Sequence, residues 1–459
     1  MISKRALKEL SRILGPERIS TRQDTLDRYG TDATKLVYSP DAVAFPGHIR
    51  EIADILLLAN RERFPVVPRG AGSGKSGGAL PVQGGLILAM DGFDRILEID
   101  ESNLIAKVES GVITARLQEE VEKKGLFYPP DPASIHISTI GGNVAECAGG
   151  LRAVKYGVTR DYVLGLTVVL PTGKIIKTGV QTAKGVVGYD LTRLITGSEG
   201  TLAVIVDITL RLIPKPAYTR TMIVFFKDPS STVQAVSQII RSKVVPTALE
   251  FMDRACIECV RDEIGLPVPE SAGALLLIEL DGDQALTRRE AKTVEQICMQ
   301  RGAIEFQAAS GKKKGERLWE ARRNVSHAVY KLKPDKVSED VVVPRNRMAD
   351  LVSFINTLSG TYGLPMPAYG HAGDGNIHVN MMLDKSKPDE LRKVDEAVKE
   401  LFQKVLEMKG TLSGEHGIGI TKAPYLGMEI SQPAQDLMIR VKRAFDPNGI
   451  LNPGKIFLA

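Results

Sequence analysis

The stretch Pro68-Arg-Gly-Ala-Gly-Ser-Gly-Lys-Ser-Gly-Gly-Ala79 puts five glycines into twelve residues. That density excludes a packed helix and leaves a loop whose backbone can come close to a bound group. Two phosphate-binding templates nearly fit. The Walker loop needs Gly, four residues, then Gly-Lys-Ser/Thr, so that amides wrap one phosphate while the lysine reaches the next. Counting back from Gly74-Lys75-Ser76 puts Arg69 where the first glycine should stand. The dinucleotide template matches as Gly72-Ser-Gly74-Lys-Ser-Gly77, after an apolar run at Phe64 to Pro68. Its obligatory helix is missing, because Gly77, Gly78 and Pro81 follow and Gly85 to Met90 reads as another strand. A glycine loop between two strands can still offer several amides to an anion as a backbone nest. The alternative is a turn with no ligand.

A chain of 459 residues predicts two or three domains. With 43% apolar and 25% charged residues it reads as a globular protein. A net charge of +5 and few aromatics argue against nucleic acid as a partner. The run Lys312 to Lys314 reads as a solvated loop. The N-terminus lacks an apolar leader, and no stretch reaches the roughly 18 apolar residues of a membrane span. The expected location is cytoplasmic, peripheral to the inner membrane only through a partner. Four cysteines are too few for a disulfide scaffold, and Cys256-Ile-Glu-Cys259 has no second pair to complete a zinc site. These thiols are expected in a helix, and no iron–sulfur cluster is expected in this chain.

Apolar spacing predicts a helical lead over residues 1 to 30, a helix over Ile49 to Arg63 and another over Thr114 to Lys124. Strands are expected at Gly85 to Met90, Leu104 to Val108 and Gly200 to Ile213, with a hairpin turning at Pro171-Thr-Gly173. Pro214 to Pro216 marks the end of a first domain. Beyond it, strands at Thr221 to Phe226, Thr247 to Asp253, Ala274 to Leu280 and Ala303 to Ala309 alternate with amphipathic helices, as suits one sheet covered by helices. The last 50 residues read as mainly loops.

Three of six histidines crowd into the C-terminal part: His371 and His378 in "HAGDGNIH", and His416 in "SGEHGIGI". Glycine turns predict no regular structure over the first half of the former. Two imidazoles and the nearby Glu415 are a common donor set for a divalent cation that leaves positions open to a chelating substrate. His416 cannot easily share a metal with its neighbour and is free to act as a general base.

Taken in order, "PRGAGSGKSGGA", "PPDPAS", "STIGGNVAECAGG", "GYDLTRLITGSEGTL", "HAGDGNIHVN", "GEHGIG" and "DPNGILNPGK" resemble the FAD-dependent D-2-hydroxy-acid dehydrogenases, within the vanillyl-alcohol oxidase type of flavoprotein. That branch includes the D subunit of glycolate oxidase and the D-lactate dehydrogenases. The resemblance spans nearly the whole chain. It implies an α+β fold: a PCMH-type FAD-binding domain (1–216), a ferredoxin-like α/β cap (217–410) and a C-terminal segment returning to the flavin (411–459).

On this likeness the opening loop holds the FAD pyrophosphate. Implied FAD contacts are Pro68, Arg69, Gly70, Ala71, Gly72, Ser73, Gly74, Gly77, Gly78, Pro130, Asp131, Ser138, Thr139, Gly141, Gly142, Asn143, Gly200, Ile205 and Asn452. Relatives that attach flavin covalently through this loop use a histidine, which is absent here, so noncovalent FAD is expected. The resemblance assigns His371, His378 and Glu415 to zinc, manganese or ferrous iron, and His416 to the base that takes the hydroxyl proton as hydride moves to flavin N5. Arg322 would clamp the substrate carboxylate, with Ser326 and Asn380 as further contacts. Where the 2-hydroxyglutarate enzymes carry a lysine, this chain has Glu339-Asp340, which favours a small monocarboxylate, D-lactate or glycolate. The alternative is an electron-transfer subunit working only with an iron–sulfur protein or an electron-transferring flavoprotein. A phosphate-loop nucleotide hydrolase is disfavoured by Arg69 and the missing helix.

Overall fold

A computed structural model describes residues 1–309 and 311–457. The chain forms two compact units, the first comprising Met1–Gly149, Val158–Lys215 and Glu415–Ala459, the second Gly150–Gly157 and Pro216–Gly414.

The first unit begins with helices at Lys4–Leu14 and Gln23–Tyr29 and contains two main sheets. In one, β1 (Ile19–Ser20), β2 (Ala42–Ala44), β3 (Val66–Arg69) and β4 (Leu86–Ala89) take the order β1-β2-β4-β3, with β4 parallel to both β2 and β3. The helix Ile49–Glu62 joins β2 to β3. It starts at His48 in a capping box with Glu51 and buries Ile52, Ile55, Leu56 and Ala59 against the sheet. The Gly70-to-Gly85 stretch runs from β3 to β4 without a helix, as its composition requires. In the other sheet, β5 (Ile96–Asp100), β6 (Ile105–Glu109), β8 (Val163–Val169), β9 (Ile175–Gly179) and β10 (Val204–Arg211) form an antiparallel array ordered β5-β6-β10-β8-β9. The short strands β7 (Leu126–Phe127) and β11 (Ile213–Pro214) pair separately. The expected β8–β9 hairpin turns through Gly173 at φ +78°, a conformation glycine adopts freely. Ile450 and Leu451, near the end of the chain, are buried in the core of the first sheet.

Residues 415–457 are mostly turns and irregular chain, as expected, but they include one 14-residue helix, Gln432–Phe445. It buries none of its residues fully, and turn-rich segments on both sides dominate the sequence signal.

The second unit is one seven-stranded antiparallel sheet, order β15-β12-β14-β13-β17-β18-β16. Its strands are β12 (Tyr218–Phe226), β13 (Ala248–Asp253), β14 (Ala274–Gly282), β15 (Ala303–Ala308), β16 (Asp335–Val342), β17 (Ala368–His371) and β18 (Asn376–Leu383). The first four alternate with helices as expected and take the fourth-first-third-second order of a ferredoxin-like sheet. Strands β16, β17 and β18 are additions that sequence reasoning did not foresee. "HAGDGNIH" is a hairpin in which His371 closes β17 and Asn376 opens β18. Lys312–Ala328 is a helix, so Lys312 to Lys314 form its first turn and not a loop. Cys256 and Cys259 are buried in the helix Arg254–Ile264, and all four cysteines are free. Among the described residues no helix is long and apolar enough to cross a membrane.

Candidate active site

In the first unit an open cleft lies over the glycine loop. Pro68 to Lys75, Gly78, Ser138, Thr139, Gly141 to Asn143, Gly200 and Ile205 line it, together with Glu415 and His416. Among the described residues, no amide from Ala71 to Gly78 donates a hydrogen bond within the protein. The loop is held instead through its carbonyl side, the Ser76 carbonyl accepting from the Ile420 amide at 2.8 Å. Turning carbonyls one way leaves the amides to face an anion. Gly72 sits at φ +67°, and a methyl there would strike the Arg69 guanidinium; a methyl at Gly74 would meet nothing within 4 Å and would fill cleft space.

Arg69 is buried, donates to the Thr31 carbonyl at 2.7 Å and lies 5.5 Å over the Tyr29 ring, yet its Nη1 has no acceptor. Burial pulls its pKa down, which an anionic ligand would reverse. Across the cleft the helix Ile140–Glu146 starts at Thr139, whose hydroxyl accepts the Gly142 amide at 3.2 Å. Gly141 must be glycine because a side chain would collide with Ser110, whose own hydroxyl is buried without a partner. These unspent donors and the open glycine wall fit an FAD pyrophosphate.

Four residues expected at the cofactor do not line the cleft. Asn452 braces the loop from behind, its amide donating to the carbonyls of Gly78 (2.9 Å) and Glu199 (2.8 Å). Gly77, at φ +81°, makes room for Ile420. The Pro130 carbonyl accepts from Gln118, and Asp131 beside it is buried. Glu146 and Glu199, which do line the cleft, were not foreseen. Burial raises both carboxyl pKa values, and their mutual repulsion adds to the rise of Glu146. Two amide donors oppose the rise at Glu199. Beneath them Lys455 donates to the Leu80 carbonyl, and burial brings its pKa down to about 8.

In the second unit, strand alternation puts Glu250, Tyr369, His371, His378, Asn380, Ser338 and Asp340 on one face of the sheet. Helices Arg254–Ile264 and Lys312–Ala328 cover that face, and the latter delivers Arg322. Glu250, fully buried, joins the two residues of greatest interest. Its Oε1 lies 2.7 Å from His371 Nδ1 and its Oε2 2.5 Å from Arg322 Nη2. The carboxylate fixes the proton on Nδ1 and leaves the lone pair on Nε2, as for a metal-ligating histidine. Arg322 is ion-paired with Glu250, its Nε has no hydrogen-bond partner, and its guanidinium lies 4.7 Å above the Tyr369 ring. The His371 and His378 rings lie 5.2 Å apart, edge to face. Glu250 could have been suspected as the lone charge inside the apolar strand Ala-Leu-Glu-Phe-Met.

Lys336 Nζ is bonded to the Ser326 hydroxyl at 2.9 Å, so Ser326 stands beside a cation. The β16 register, Glu339 opposite Val379 and Asp340 opposite His378, turns Glu339 to the far face. Of the Glu339-Asp340 pair, Asp340 alone shares the face of Arg322 and Asn380. It accepts from Asn376 at 2.5 Å and from the Gly414 amide at 3.0 Å, and its nearest oxygen to His378 Nδ1 is 3.5 Å away. Asn380 takes the Ser338 hydroxyl at 3.1 Å.

Residues 215–456 match the family described as FAD linked oxidases, C-terminal domain, and residues 40–179 the one described as FAD binding domain. The chain is 45% identical over 458 residues to the glycolate oxidase subunit GlcD of Bacillus subtilis (strain 168), covering 100% of this chain and 97% of that protein. It is 36% identical over 428 residues to a D-lactate dehydrogenase of Anaerostipes hadrus, covering 91% and 89%. Among solved structures, p-cresol methylhydroxylase with substrate bound superimposes with a TM-score of 0.82 at 19% identity, covering 99% of this chain and 96% of the other, a likeness of fold.

Proposed function

Because the chain belongs to the FAD-linked oxidases, we propose that this FAD-linked oxidoreductase converts a small D-2-hydroxy acid, D-lactate or glycolate, to the 2-oxo acid. Relatives named for glycolate and for D-lactate support hydroxy-acid oxidation. The observation that carries the finer reading is that His416 lines the same cleft as the unspent amides of the glycine loop. FAD, held noncovalently there, supplies the hydride acceptor. His416 takes the proton of the substrate hydroxyl, and Arg322, whose Nε has no hydrogen-bond partner, binds the carboxylate. Two imidazoles, His371 and His378, with Glu415 as the third donor, are assigned to a divalent cation whose charge would lower the hydroxyl pKa. Asn380 and Lys336-backed Ser326 stand as further substrate contacts.

The test is anaerobic mixing of the purified flavoprotein with D- and L-lactate and glycolate, read by loss of flavin absorbance, with metal analysis of the same sample. Bleaching by the D-acid or by glycolate is expected, and flavin should be released intact by acid. Oxidation that survives complete metal removal would end the cation assignment. The word "subunit" in the name of the 45% identical relative supports a second reading, in which the chain passes electrons only inside a complex with an iron–sulfur protein or an electron-transferring flavoprotein. No bleaching by any hydroxy acid without such a partner would favour it.

A further inference from the structure

From the geometry of the first unit we infer that Glu199 is a positioning residue for His416, an inference that rests on the reading of His416 as the base. Glu199 lies in the turn Gly197-Ser-Glu-Gly200 and is 6% exposed. Its backbone is left-handed at φ +53°, a conformation that is strained for a non-glycine residue and persists only where the surroundings hold it. The surroundings do so at every polar atom. Its amide donates to the Ala145 carbonyl at 2.8 Å, and its carbonyl accepts from Asn452 at 2.8 Å. Its carboxylate is spent on one loop: Oε1 accepts the Ile418 amide at 2.8 Å and Oε2 the Gly419 amide at 2.6 Å.

Those two amides begin two residues beyond His416, in a segment whose glycines at 417 (φ +78°) and 419 (φ +49°) would otherwise leave it free to take many shapes. A carboxylate accepting from consecutive amides fixes both peptide planes at once, and charge-assisted bonds of this kind are among the stronger ones. The imidazole is aimed into the cleft by the backbone that carries it. Asn452 ties the same turn to Gly78, so one residue sets the glycine loop and the histidine loop against each other. A substitution at Glu199 should therefore move His416 without emptying the cofactor site.

The experiment compares Glu199→Gln, His416→Ala and the double variant in full-length, flavin-loaded protein. Glu199→Gln keeps the volume but sets an NH2 group against one amide. It is expected to slow substrate-driven flavin reduction roughly 10- to 100-fold at saturating substrate, with KM changed less than about threefold and flavin content retained. The double variant should be no slower than His416→Ala alone, since a mispositioned base that is absent costs nothing more. Multiplying losses, or a normal rate in Glu199→Gln, would overturn the inference. Hydrogen exchange gives a second readout that needs no turnover: the 415–420 segment should exchange faster in Glu199→Gln while 70–79 is unchanged, and equal exchange at 415–420 would also overturn it. If His416→Ala reduces flavin at the normal rate, the base assignment fails, and that outcome is read independently of Glu199.

Discussion

His416 and Lys455 occupy the same unit but answer to different physics. His416 is a chemical group at the edge of a cleft, so His416→Ala should slow flavin reduction by ~10²-fold or more while FAD stays bound, measured by stopped-flow absorbance. Lys455 is a buried cation whose pKa of about 8 lies below the usual 10.5. The folded protein gives up this proton near pH 8 and the unfolded chain near 10.5. Between those values the unfolded state binds more protons, so stability relative to a Lys455→Met variant should rise with pH, by up to about 3 kcal/mol. Denaturant melts of the two proteins at pH 8 and pH 10 check the sign. At this scale the sequence was most informative where residue type and chemistry coincide: His371, His378 and His416 were singled out by type and motif. It was silent on Glu199, Glu146 and Lys455, because a carboxylate or ammonium becomes special only when folding removes water from it and brings its partners close.

The glycine loop and the β16–β18 hairpin sheet are the elements that aim these residues. Gly74 borders open cleft, so Gly74→Val should lower FAD occupancy sharply while leaving the melting temperature of the flavin-free protein nearly unchanged. Absorbance per mole of protein and thermal unfolding separate the two effects. Strand register makes the second prediction at this scale. Glu339 and Asp340 are neighbours in sequence but occupy opposite faces, so Asp340→Asn should impair hydroxy-acid oxidation by ~10-fold or more and Glu339→Gln by less than about threefold. Steady-state kinetics on both variants decide it. The β12-to-β15 alternation was legible because apolar runs and amphipathic helices alternate with clear breaks. Strands β16 to β18 were not, since Asp, Lys, Ser, His and Asn at their inward positions carry the site and mask the apolar pattern a strand would otherwise show.

For the molecule as a whole, the order of segments matters more than their separate signals. The first unit is completed by Glu415–Ala459, with Ile450 and Leu451 in its core and Leu451 bridged to Val66 of β3. Ending the chain at Gly414 should therefore cost more than the catalytic loop. Burial of each such side chain is worth about 1.5–3 kcal/mol, and the product is expected to be aggregated and free of flavin, judged by size-exclusion chromatography and absorbance. The sequence by itself determined that the glycine loop could be neither a helix nor either familiar phosphate fold, that the chain alternates strand and helix after Pro216, and which histidines to watch, because backbone freedom, apolar spacing and side-chain chemistry are local properties; Arg322 came from the family resemblance. Only the tertiary structure decided that residues 150–157 join the second unit, that Ile450 and Leu451 enter the core of the first, and that Glu199 and Glu250 hold the groups beside them, because burial and pairing are made by residues far apart in the chain.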